Sequence, residues 1–538
     1  MLLILSAQPV TEEIAQQVGP LPPSFLPLGG QRLFSIQADL ARGEPCVMTL
    51  PADFAIPGPD RRALEAAGIA ILPQPPGMRL TQALGDALAR LHSTRLRPDG
   101  PLRILYGDTL VQMDEATLHA PDMVAVQQSS AHYAWAFAEA TATGVAFSDS
   151  PPSDTPSIVC GYYSFSDPAL LARACREPTI VGALQHYTDH RPLSLCTANS
   201  WLDFGHLPLY LRSRKDVLVK RVFNELDYED DLLIKHSSDT AKMQAEAHWF
   251  EHLPAPLRLH VPRYHGRTER DGRAGYGIEY LYAPLVSDLA VFATLPRAAW
   301  GQILQAAFDL LAKFQRVRPP DDAPESAPDF ADRFFRGIVV DKTRTRLRDW
   351  CAQSGIAPDA RITLNGVAHP PLADLAEQLI AGLPPTTPDQ IRFWHGDFYF
   401  GNMFYDDTAR RILCIDPRGQ LAPGQPCLWG DLRYDLAKLA HSIAGQYDRI
   451  LLGRSTLEIS AADPLDWTFA VEAPLPSDSL EPMLFAHART CGVAPGELLA
   501  LTALLFLSML PLHGEDPARQ KHLLAMALIL ATRAGQAT

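Results

Sequence analysis

The feature that most constrains the fold is a regular alternation of apolar runs and helical patterns over the first part of the chain. The runs "MLLILSA", "EPCVMTLP", "IAILPQ" and "PLRILYGDTLV" predict strands, and "TEEIAQQVG", "DRRALEAAG" and "RLTQALGDALARLHS" predict the helices between them. This alternation predicts a mostly parallel sheet covered by helices. In such sheets ligands bind beyond the carboxyl ends of the strands. Asp108 directly follows "LRILYG" and so occupies such a position.

A different pattern begins near residue 210. The segment "DVLVKRVFNELDYEDDLLIKHS" predicts antiparallel strands joined by a polar turn, and "DTAKMQAEAHWFEHL" predicts a helix capped by Ser238 or Asp239. From "RAAWGQILQAAFDLLAKFQ" onward the pattern is mainly helical. A chain of 538 residues exceeds what one core usually serves. We therefore expect two domains, residues 1–210 and 211–538.

Composition narrows the class of protein and its partners. With 47 basic and 61 acidic residues, the net charge of −14 disfavours general binding of nucleic acid or anionic membrane. The eight cysteines form no C-x-x-C pair, which indicates reduced core residues rather than a zinc site or disulfide framework. The N-terminal apolar run is too short for a secretory signal, and "LLALTALLFLSMLPLHG" suits a buried helix. We expect a cytoplasmic protein with no membrane insertion and no nucleic-acid partner.

The stretch "FWHGDFYFGNMFYDDTARRILCIDPRG" carries the strongest candidate site. Asp397 and Asn402 flank a loop, and Asp416 ends the strand that returns. Mg²⁺ prefers oxygen ligands and takes only one or two from protein when phosphates supply others. One Asp and one Asn suit that share, and the remaining Asp can accept a proton from an attacking hydroxyl. The alternative is a hairpin with ordinary polar turn residues.

Phosphoryl transfer also needs a lysine for the nucleotide phosphates and a glutamate that holds the lysine. Lys235 ends the run "DLLIK", and Glu246 lies in the helix that follows; Lys242 and Glu251 are the competing candidates. The run "IEYLYAPL" would supply a hinge whose backbone pairs with adenine. His395, Arg418 and Gly419 are expected to shape the loop.

The motifs "HGDFYFGN", "CIDPRG" and "GDLRYDLAKLAHSI" resemble those of the aminoglycoside phosphotransferase and choline kinase superfamily. The resemblance implies an α+β bilobal, protein-kinase-like domain, with an N-lobe over 211–290 and a helical C-lobe over 291–538. It implies that ATP and Mg²⁺ are used. By this resemblance Asp397 is the catalytic base, and Asn402 and Asp416 hold Mg²⁺. Lys235 contacts the ATP phosphates and Glu246 pairs with it.

One departure refines this resemblance. "IDPRG" stands where many members have "IDWE", which is more similar to kinases of capsule and surface-polysaccharide synthesis than to resistance enzymes. The acidic residues of the following helix brace the catalytic loop in that family, and Asp431 and Asp435 are expected to be structural caps here.

The N-terminal half resembles sugar nucleotidyltransferases in "PPSFLPLGGQRLFSIQ", "ILYGDTLV", "GYYSFSDPALL" and "NSWLDFGHLPLYLRSR". The resemblance implies an α/β, Rossmann-like domain in which Asp108 and Asp203 hold a metal between nucleotide and sugar-phosphate. Two departures stand out. "SAQPVTEEIAQQVG" replaces the basic, Gly-rich phosphate loop, and Ser24 replaces a lysine, which leaves Arg32 as the nearest cation.

We therefore expect a bifunctional enzyme for surface-polysaccharide precursors. The kinase would phosphorylate a hydroxyl of a small sugar, polyol or amino alcohol, and the N-terminal half would couple the product to a nucleoside triphosphate. Polysaccharide-assembly proteins are candidate partners. Three alternatives remain: a kinase with an inactive N-terminal binding domain, a non-catalytic glycan-assembly scaffold, and an antibiotic phosphotransferase.

Overall fold

The computed structural model describes residues 1–537 except 94–99, 130–132, 143, 153–155, 222–225, 230, 322–324 and 473–474. It contains two compact units. Unit 1 is Met1–Leu218 with Phe292–Thr294, and unit 2 is Val219–Val291 with Leu295–Thr538. The boundary predicted at residue 210 falls inside one helix, Leu207–Arg221. That helix includes the start of "DVLVKR", so the strand predicted there is wrong.

A mixed sheet forms the centre of unit 1. In the described part of this unit its strands run in the order β10-β6-β9-β4-β1-β2-β3, with the hairpin β7–β8 joined to β9. Pairing is parallel across β4, β1, β2 and β3 and antiparallel where β9 meets its neighbours. The strands are β1 Leu2–Leu5, β2 Cys46–Pro51, β3 Ile69–Gln74, β4 Leu102–Tyr106, β5 Thr109–Gln112, β6 Met123–Gln128, β7 Phe137–Thr141, β8 Gly144–Ser148, β9 Ser157–Phe165, β10 Ser194–Thr197 and β11 Ser200–Asp203.

The predicted alternation is confirmed in the first 112 residues, where every predicted strand and helix is present. Strand β1 is buried along its whole length, as expected for an interior parallel strand covered on both faces. The helices of unit 1 are α1 Glu12–Val18, α2 Leu33–Gln37, α3 Gly58–Ala66, α4 Leu80–Ser93, α5 Glu115–Leu118, α6 Pro168–Ala174, α7 Ile180–His190 and α8 Leu207–Arg221. Helices α4, α6 and α7 pack on one core with β1, β4 and β9.

Unit 2 begins with an antiparallel sheet in the order β12-β13-β15-β14. A second four-stranded sheet has the order β17-β16-β25-β24, and the other strands form short pairs, among them the hairpin β19–β20. The strands are β12 Leu226–Glu229, β13 Leu232–Ser237, β14 Tyr264–Arg270, β15 Arg273–Glu279, β16 Thr363–Leu364, β17 Val367–Ala368, β18 Ile391–Phe393, β19 Met403–Asp406, β20 Arg411–Cys414, β21 Gln420–Ala422, β22 Gln425–Pro426, β23 Trp429–Asp431, β24 Ser455–Ile459 and β25 Asp466–Val471.

Helices dominate the rest of unit 2. They are α9 Thr240–Glu251, α10 Val286–Phe292, α11 Arg297–Gln315, α12 Ala327–Phe334, α13 Lys342–Ser354, α14 Leu372–Ala381, α15 Leu432–Ile443, α16 Tyr447–Leu451, α17 Ser477–Thr490, α18 Pro495–Met509 and α19 Pro517–Gln536, with a π-helical turn over Phe335–Asp341. Asp239 caps α9 by accepting a hydrogen bond from the amide of Lys242, which satisfies an unpaired N–H of the first turn.

One apolar helix near the C-terminus is long enough to cross a membrane. It spans Pro495–His513, and 78% of its most apolar window is buried inside the protein. Within the described residues no second helix has this length and composition. Its burial matches the core helix that the sequence predicted.

Candidate active site

The β19–β20 hairpin and the loop before it bring the predicted kinase residues to one place. Asp397 and Asn402 lie between β18 and β19, and Asp416 follows β20 in the left-handed backbone region, with φ of 55°. The amide Nδ2 of Asn402 donates to the backbone oxygen of Asp397 at 3.0 Å and to its Oδ2 at 3.2 Å. The same Nδ2 lies 3.5 Å from the backbone oxygen of Asp416. Asn402 therefore ties the two acidic positions together.

The predicted lysine and glutamate meet in the same unit. Lys235 Nζ lies 2.8 Å from Glu246 Oε2 and 3.0 Å from Asp416 Oδ1. Lys242 Nζ is 3.8 Å from the other oxygen of Glu246, and Glu251 instead pairs with Arg267 at 2.8 Å. Lys235 and Glu246, rather than these competitors, form the close pair beside Asp416.

Burial and charge set the protonation of this pair. Burial opposes the charged form of Lys235, but the Asp416 and Glu246 carboxylates outweigh it and raise the lysine pKa above its usual range. Glu246 is 1% exposed, and burial raises its pKa even though Lys235 opposes the change. The Tyr276 hydroxyl donates to the same Glu246 oxygen at 2.6 Å. The lysine is thus a fixed positive charge held by Glu246 of α9 and by Asp416 in the loop after β20.

Asp397 has a partner that the sequence did not single out. Lys438, on α15, places its Nζ 2.7 Å from Asp397 Oδ1. Burial favours the protonated form of Asp397, but the charge and hydrogen bond of Lys438 outweigh it and hold the pKa below the ordinary value. One Asp397 oxygen faces Asn402 and the other faces Lys438. The carboxylate is therefore ionised and fixed from both sides.

The backbone of the loop is braced from below by α15. The carboxylate of Asp435 accepts the amide N–H groups of His395 and Gly396, both at 2.8 Å. Burial raises the pKa of Asp435 to about 7 although these two donors oppose the change. The His395 ring bonds to the Ile415 carbonyl at 3.0 Å, and burial lowers its pKa to about 4, so it is neutral. His395 therefore links the loop to β20.

Asp431 has a purely local role. Its carboxylate accepts from the amide and guanidinium of Arg433, and from the Thr386 hydroxyl at 2.6 Å. It caps α15 and forms a buried ion pair with Arg433. Asp431 and Asp435 thus both occupy bracing positions.

Asn402 and Asp416 form a donor set that fits Mg²⁺. The hydrogen bonds of Asn402 Nδ2 to Asp397 leave its Oδ1 as the metal-facing atom. Asp416 contributes a carboxylate that is 40% exposed and forms an ion pair with Lys235. An amide oxygen and a carboxylate are the ligands that a phosphate-bound Mg²⁺ takes from protein.

In unit 1 the two predicted metal ligands converge at the carboxyl ends of strands. Strand β5 pairs with β11, so that Thr109 lies opposite Asp203. A Cβ atom at Gly205 would lie 2.7 Å from Asp108 Oδ2 and 3.2 Å from Asp203 Oδ1. Burial, and then the charge of Asp203, raises the pKa of Asp108 to about 6. The two oxygens lie close to one point beside Gly205, whose amide donates to Oδ1 of Asp203 at 2.6 Å. Two converging carboxylates are ligands of the kind that a divalent cation takes.

Asp203 is already hydrogen-bonded on its other side. The Trp135 indole donates to Oδ2 at 2.8 Å, and the His206 ring lies 3.2 Å from the same oxygen. The hydrogen bond to Asp203 raises the pKa of His206. These contacts orient the carboxylate toward Asp108.

A pocket of about 320 Å³ opens beside Asp108, and its lining tests the predicted phosphate contacts. It is lined by Leu5, Ala7, Gln8, Pro9, Val10, Thr11, Pro23, Thr49, Leu80, Ala83, Tyr106, Gly107, Asp108, Phe204 and Gly205. Of these described residues none is basic. Arg32, the nearest cation by sequence, is 4% exposed and binds the buried Asp60 at 2.8 Å. Its charge is used within the core, so it is not a phosphate ligand of this pocket.

Comparison with known families decides the class of unit 2. Residues 214–455 match the family described as APH, the phosphotransferase enzyme family. The C-terminal part of this chain is a phosphotransferase-family domain. The match and the observed topology confirm the predicted fold class, an α/β unit followed by an α+β, kinase-like domain. A search of curated proteins finds no match.

Three solved structures similar to this chain are the following. A candidate aminoglycoside phosphotransferase from Ralstonia eutropha JMP134 is 14% identical, with a TM-score of 0.36, over 57% of this chain and 87% of that one. An aminoglycoside-3'-phosphotransferase of type VIII is 16% identical, with a TM-score of 0.32, over 52% and 84%. The inositol-1-phosphate CTP transferase from T. maritima is 9% identical, with a TM-score of 0.30, over 41% and 96%.

Within the phosphotransferase-family domain, Lys438 is the residue that sequence reasoning missed. "GDLRYDLAKLAHSI" was read for its acidic residues, and Lys438 lies three positions after Asp435 on the same helix. Residues three apart lie on one face of a helix, so Asp435 and Lys438 could have been predicted to face the same loop. The signal was present, but the partner of the lysine depended on the tertiary fold.

Proposed function

We propose that the phosphotransferase-family domain transfers the γ-phosphoryl group of ATP to a hydroxyl of a small sugar, polyol or amino alcohol, with Asp397 as the base. The observation that carries this proposal is the fixed Asp397 carboxylate, which is held by Asn402 on one side and Lys438 on the other. Lys235, Glu246 and Asp416 lie beside it as a second charged group.

The two groups divide the work of transfer. Asp397 accepts the proton of the acceptor hydroxyl as the oxygen attacks, and its lowered pKa keeps it ionised at neutral pH. Lys235, held by Glu246, binds the nucleotide phosphates and neutralises their charge. Asn402 and Asp416 would hold Mg²⁺, which supplies charge stabilisation to the phosphates when bound. The segment 278–285 would bind adenine through its backbone.

An assay of ADP release over a panel of sugars, polyols and amino alcohols tests this function. Asp397→Asn removes the proton acceptor but keeps the shape, and we expect kcat to fall on the order of 10²–10⁴-fold. Asp407→Asn is the matched control, because Asp407 lies exposed in the turn of the same hairpin. Full turnover by Asp397→Asn contradicts the assignment of the base. Absence of both turnover and a thermal shift with ATP and Mg²⁺ in the wild type would favour the scaffold alternative.

For unit 1 we propose metal-dependent nucleotidyl transfer at Asp108 and Asp203. The convergence of their oxygens beside a pocket of about 320 Å³ supports it. A metal held there would activate the α-phosphate of a nucleoside triphosphate toward attack by a sugar-phosphate oxygen. Trp135 and His206 would hold the Asp203 carboxylate in place for that metal.

A second candidate for unit 1 is nucleotide or sugar binding without turnover. It is favoured by the absence of basic side chains among the described lining residues, because these residues supply no cation to balance the charge of a triphosphate. Pyrophosphate release with CTP, UTP, GTP and ATP separates the two. Release that is lost in Asp108→Ala supports transfer, whereas the same low rate in wild type and Asp108→Ala supports binding alone.

At the level of the pathway, we propose that the two units act in sequence in the cytoplasmic synthesis of nucleotide-activated precursors of surface polysaccharide. The order follows from the chemistry, because the kinase product carries the phosphate that nucleotidyl transfer consumes. Incubation of the full chain with acceptor, ATP and the second nucleotide should yield the nucleotide-linked product. Accumulation of the phosphorylated acceptor alone contradicts this order of reactions.

A further inference from the structure

Three side chains of metal-ligand type lie at the C-terminal end of α9, the helix that also carries Glu246. His248, Glu251 and His252 each offer a ligand atom, and these atoms lie within 4.8 Å of one another. In the described part of the chain no other group of three histidine, cysteine or acidic side chains meets this spacing. The two imidazole rings stand 4.0 Å apart. They are neighbours, tilted by 38° to each other, because residues four apart share one face of a helix.

We propose that this group binds a divalent transition metal such as Zn²⁺. Imidazole nitrogen is a ligand that Zn²⁺ prefers and Mg²⁺ does not, so this site and the oxygen-lined positions at Asp416 select different ions. Two histidines and one carboxylate are a ligand set that binds Zn²⁺ in proteins, with water in the remaining position. The site is independent of the proposed kinase and nucleotidyl-transfer reactions.

Local geometry prepares one histidine for metal binding. The ring Nδ1 of His252 lies 2.9 Å from the backbone oxygen of His248. A carbonyl oxygen can only accept, so Nδ1 carries the proton and Nε2 keeps a free lone pair. This bond to a backbone carbonyl is the outer contact that typically orients a metal-bound histidine.

The position on the helix adds to the attraction. The last turn of a helix carries a partial negative charge from its unpaired carbonyl groups, and a cation there is stabilised. One interaction competes, because Arg267 binds both oxygens of Glu251 at 2.8 Å. The Tyr264 hydroxyl also donates to Glu251, at 3.0 Å. A carboxylate has about four acceptor positions, so the metal would share Glu251 with these donors.

The chain contains a matched control for this site. Helix α7 ends in "HYTDH", as α9 ends in "HWFEH", and His190 Nδ1 likewise lies 2.9 Å from the backbone oxygen of His186. There the acidic residue, Asp189, accepts instead from Gln185 at 2.8 Å and does not complete a group of three. The α7 pair therefore has two histidines at the same spacing, with stacked rings 4.8 Å apart, but lacks the third ligand.

Calorimetric titration of the tag-free, chelator-treated full chain with Zn²⁺ in excess Mg²⁺ tests the proposal. His252→Ala should weaken one binding equivalent at least tenfold, and His190→Ala should leave it unchanged. Both histidines are exposed, so circular dichroism should show that each variant folds. No Zn²⁺ equivalent in the wild type, an unchanged equivalent in His252→Ala, or the same loss in His190→Ala would each overturn the proposal.

Two further variants test the third ligand. Arg267→Gln frees Glu251 from its guanidinium and should tighten Zn²⁺ binding, whereas Glu251→Gln should weaken it. Opposite shifts are expected only if Glu251 is a ligand, because a general loss of stability would move both variants the same way. Weaker binding in Arg267→Gln, or unchanged binding in Glu251→Gln, contradicts the three-ligand site.

Discussion

At the scale of single residues, the proposed kinase site depends on charges that are only partly accessible to water. Asp397 is 35% exposed and Lys438 is 15% exposed, so their interaction is less screened than that of a surface ion pair. The same holds for Lys235, which is 13% exposed and bridges Glu246 and Asp416. Each of these charges controls the protonation of its neighbour.

Lys438 should therefore control the pH dependence of the reaction. Its charge lowers the pKa of Asp397, and the base is active only when ionised, above that pKa. Lys438→Met removes the charge, so the pKa of Asp397 should rise and the acidic limb of kcat/KM should move to higher pH. Lys438→Arg keeps the charge and should leave the limb near its wild-type position. The pH profile of kcat/KM for the three proteins checks this.

An unmoved limb in Lys438→Met, with kcat lowered equally at all pH values, contradicts electrostatic control of the base. That result would assign Lys438 to packing or to acceptor binding instead.

At the scale of elements, Gly419 connects the loop that carries Asp416 to α9. Its backbone has φ of 63°, and an added Cβ would lie 2.3 Å from the Ala245 carbonyl oxygen and 3.0 Å from the Glu246 amide. The loop that carries Asp416 therefore contacts α9 at Ala245 and Glu246. Only glycine permits this contact, because a Cβ atom would overlap the helix backbone. Gly419 thus connects the loop of Asp416 to α9, which carries Glu246, and both elements contribute to the proposed nucleotide site.

Gly419→Ala should displace α9 and disturb the Lys235–Glu246 pair. The control is Gly424→Ala, because Gly424 also has positive φ, at 75°, but has no atom within 4 Å of an added Cβ. In both variants alanine must adopt a left-handed backbone, which should lower the free energy of unfolding by about 1–2 kcal/mol. Only Gly419→Ala should also raise the KM for ATP several-fold. Equal KM values in the two variants would contradict the coupling, and melting temperatures measure the shared cost.

The elements also show how far local patterns predict structure. Strands β1 to β4 and helices α3, α4, α9 and α11 follow from their periodicity, because period and flanking residues are local properties. Helix α8 does not. The sequence predicted a strand at "DVLVKR", but these six residues continue the helix that begins at Leu207. The strand preference of β-branched residues such as Val217 depends on their surroundings, and here the preceding helical turns outweigh it.

At the scale of the whole molecule, the two units carry separate candidate sites. Unit 1 has Asp108 and Asp203 beside one pocket, and unit 2 has Asp397 and its neighbours. The net charge of −14 does not distinguish the sites, since each depends on a few local charges.

A non-hydrolysable ATP analogue with Mg²⁺ should therefore protect only one of them from hydrogen exchange. We expect slower exchange over residues 232–237 and 395–419, because the nucleotide would order those segments, and no change over 102–112. Mass spectrometry of peptides from the full chain measures this. Asp416→Ala should abolish the protection, whereas Asp108→Ala should preserve it. Equal protection of 102–112 would show that unit 1 also binds the analogue.

The sequence by itself determined the order of the two fold classes and predicted Asp397, Asn402 and Asp416 as site residues, because strand and helix periods and a short loop motif are local signals. Only the tertiary structure decided that Lys438 contacts Asp397 and that Arg32 binds Asp60 rather than facing the pocket beside Asp108. These pairings join residues from different elements. Their energies depend on burial and distance, which no local pattern of residues contains.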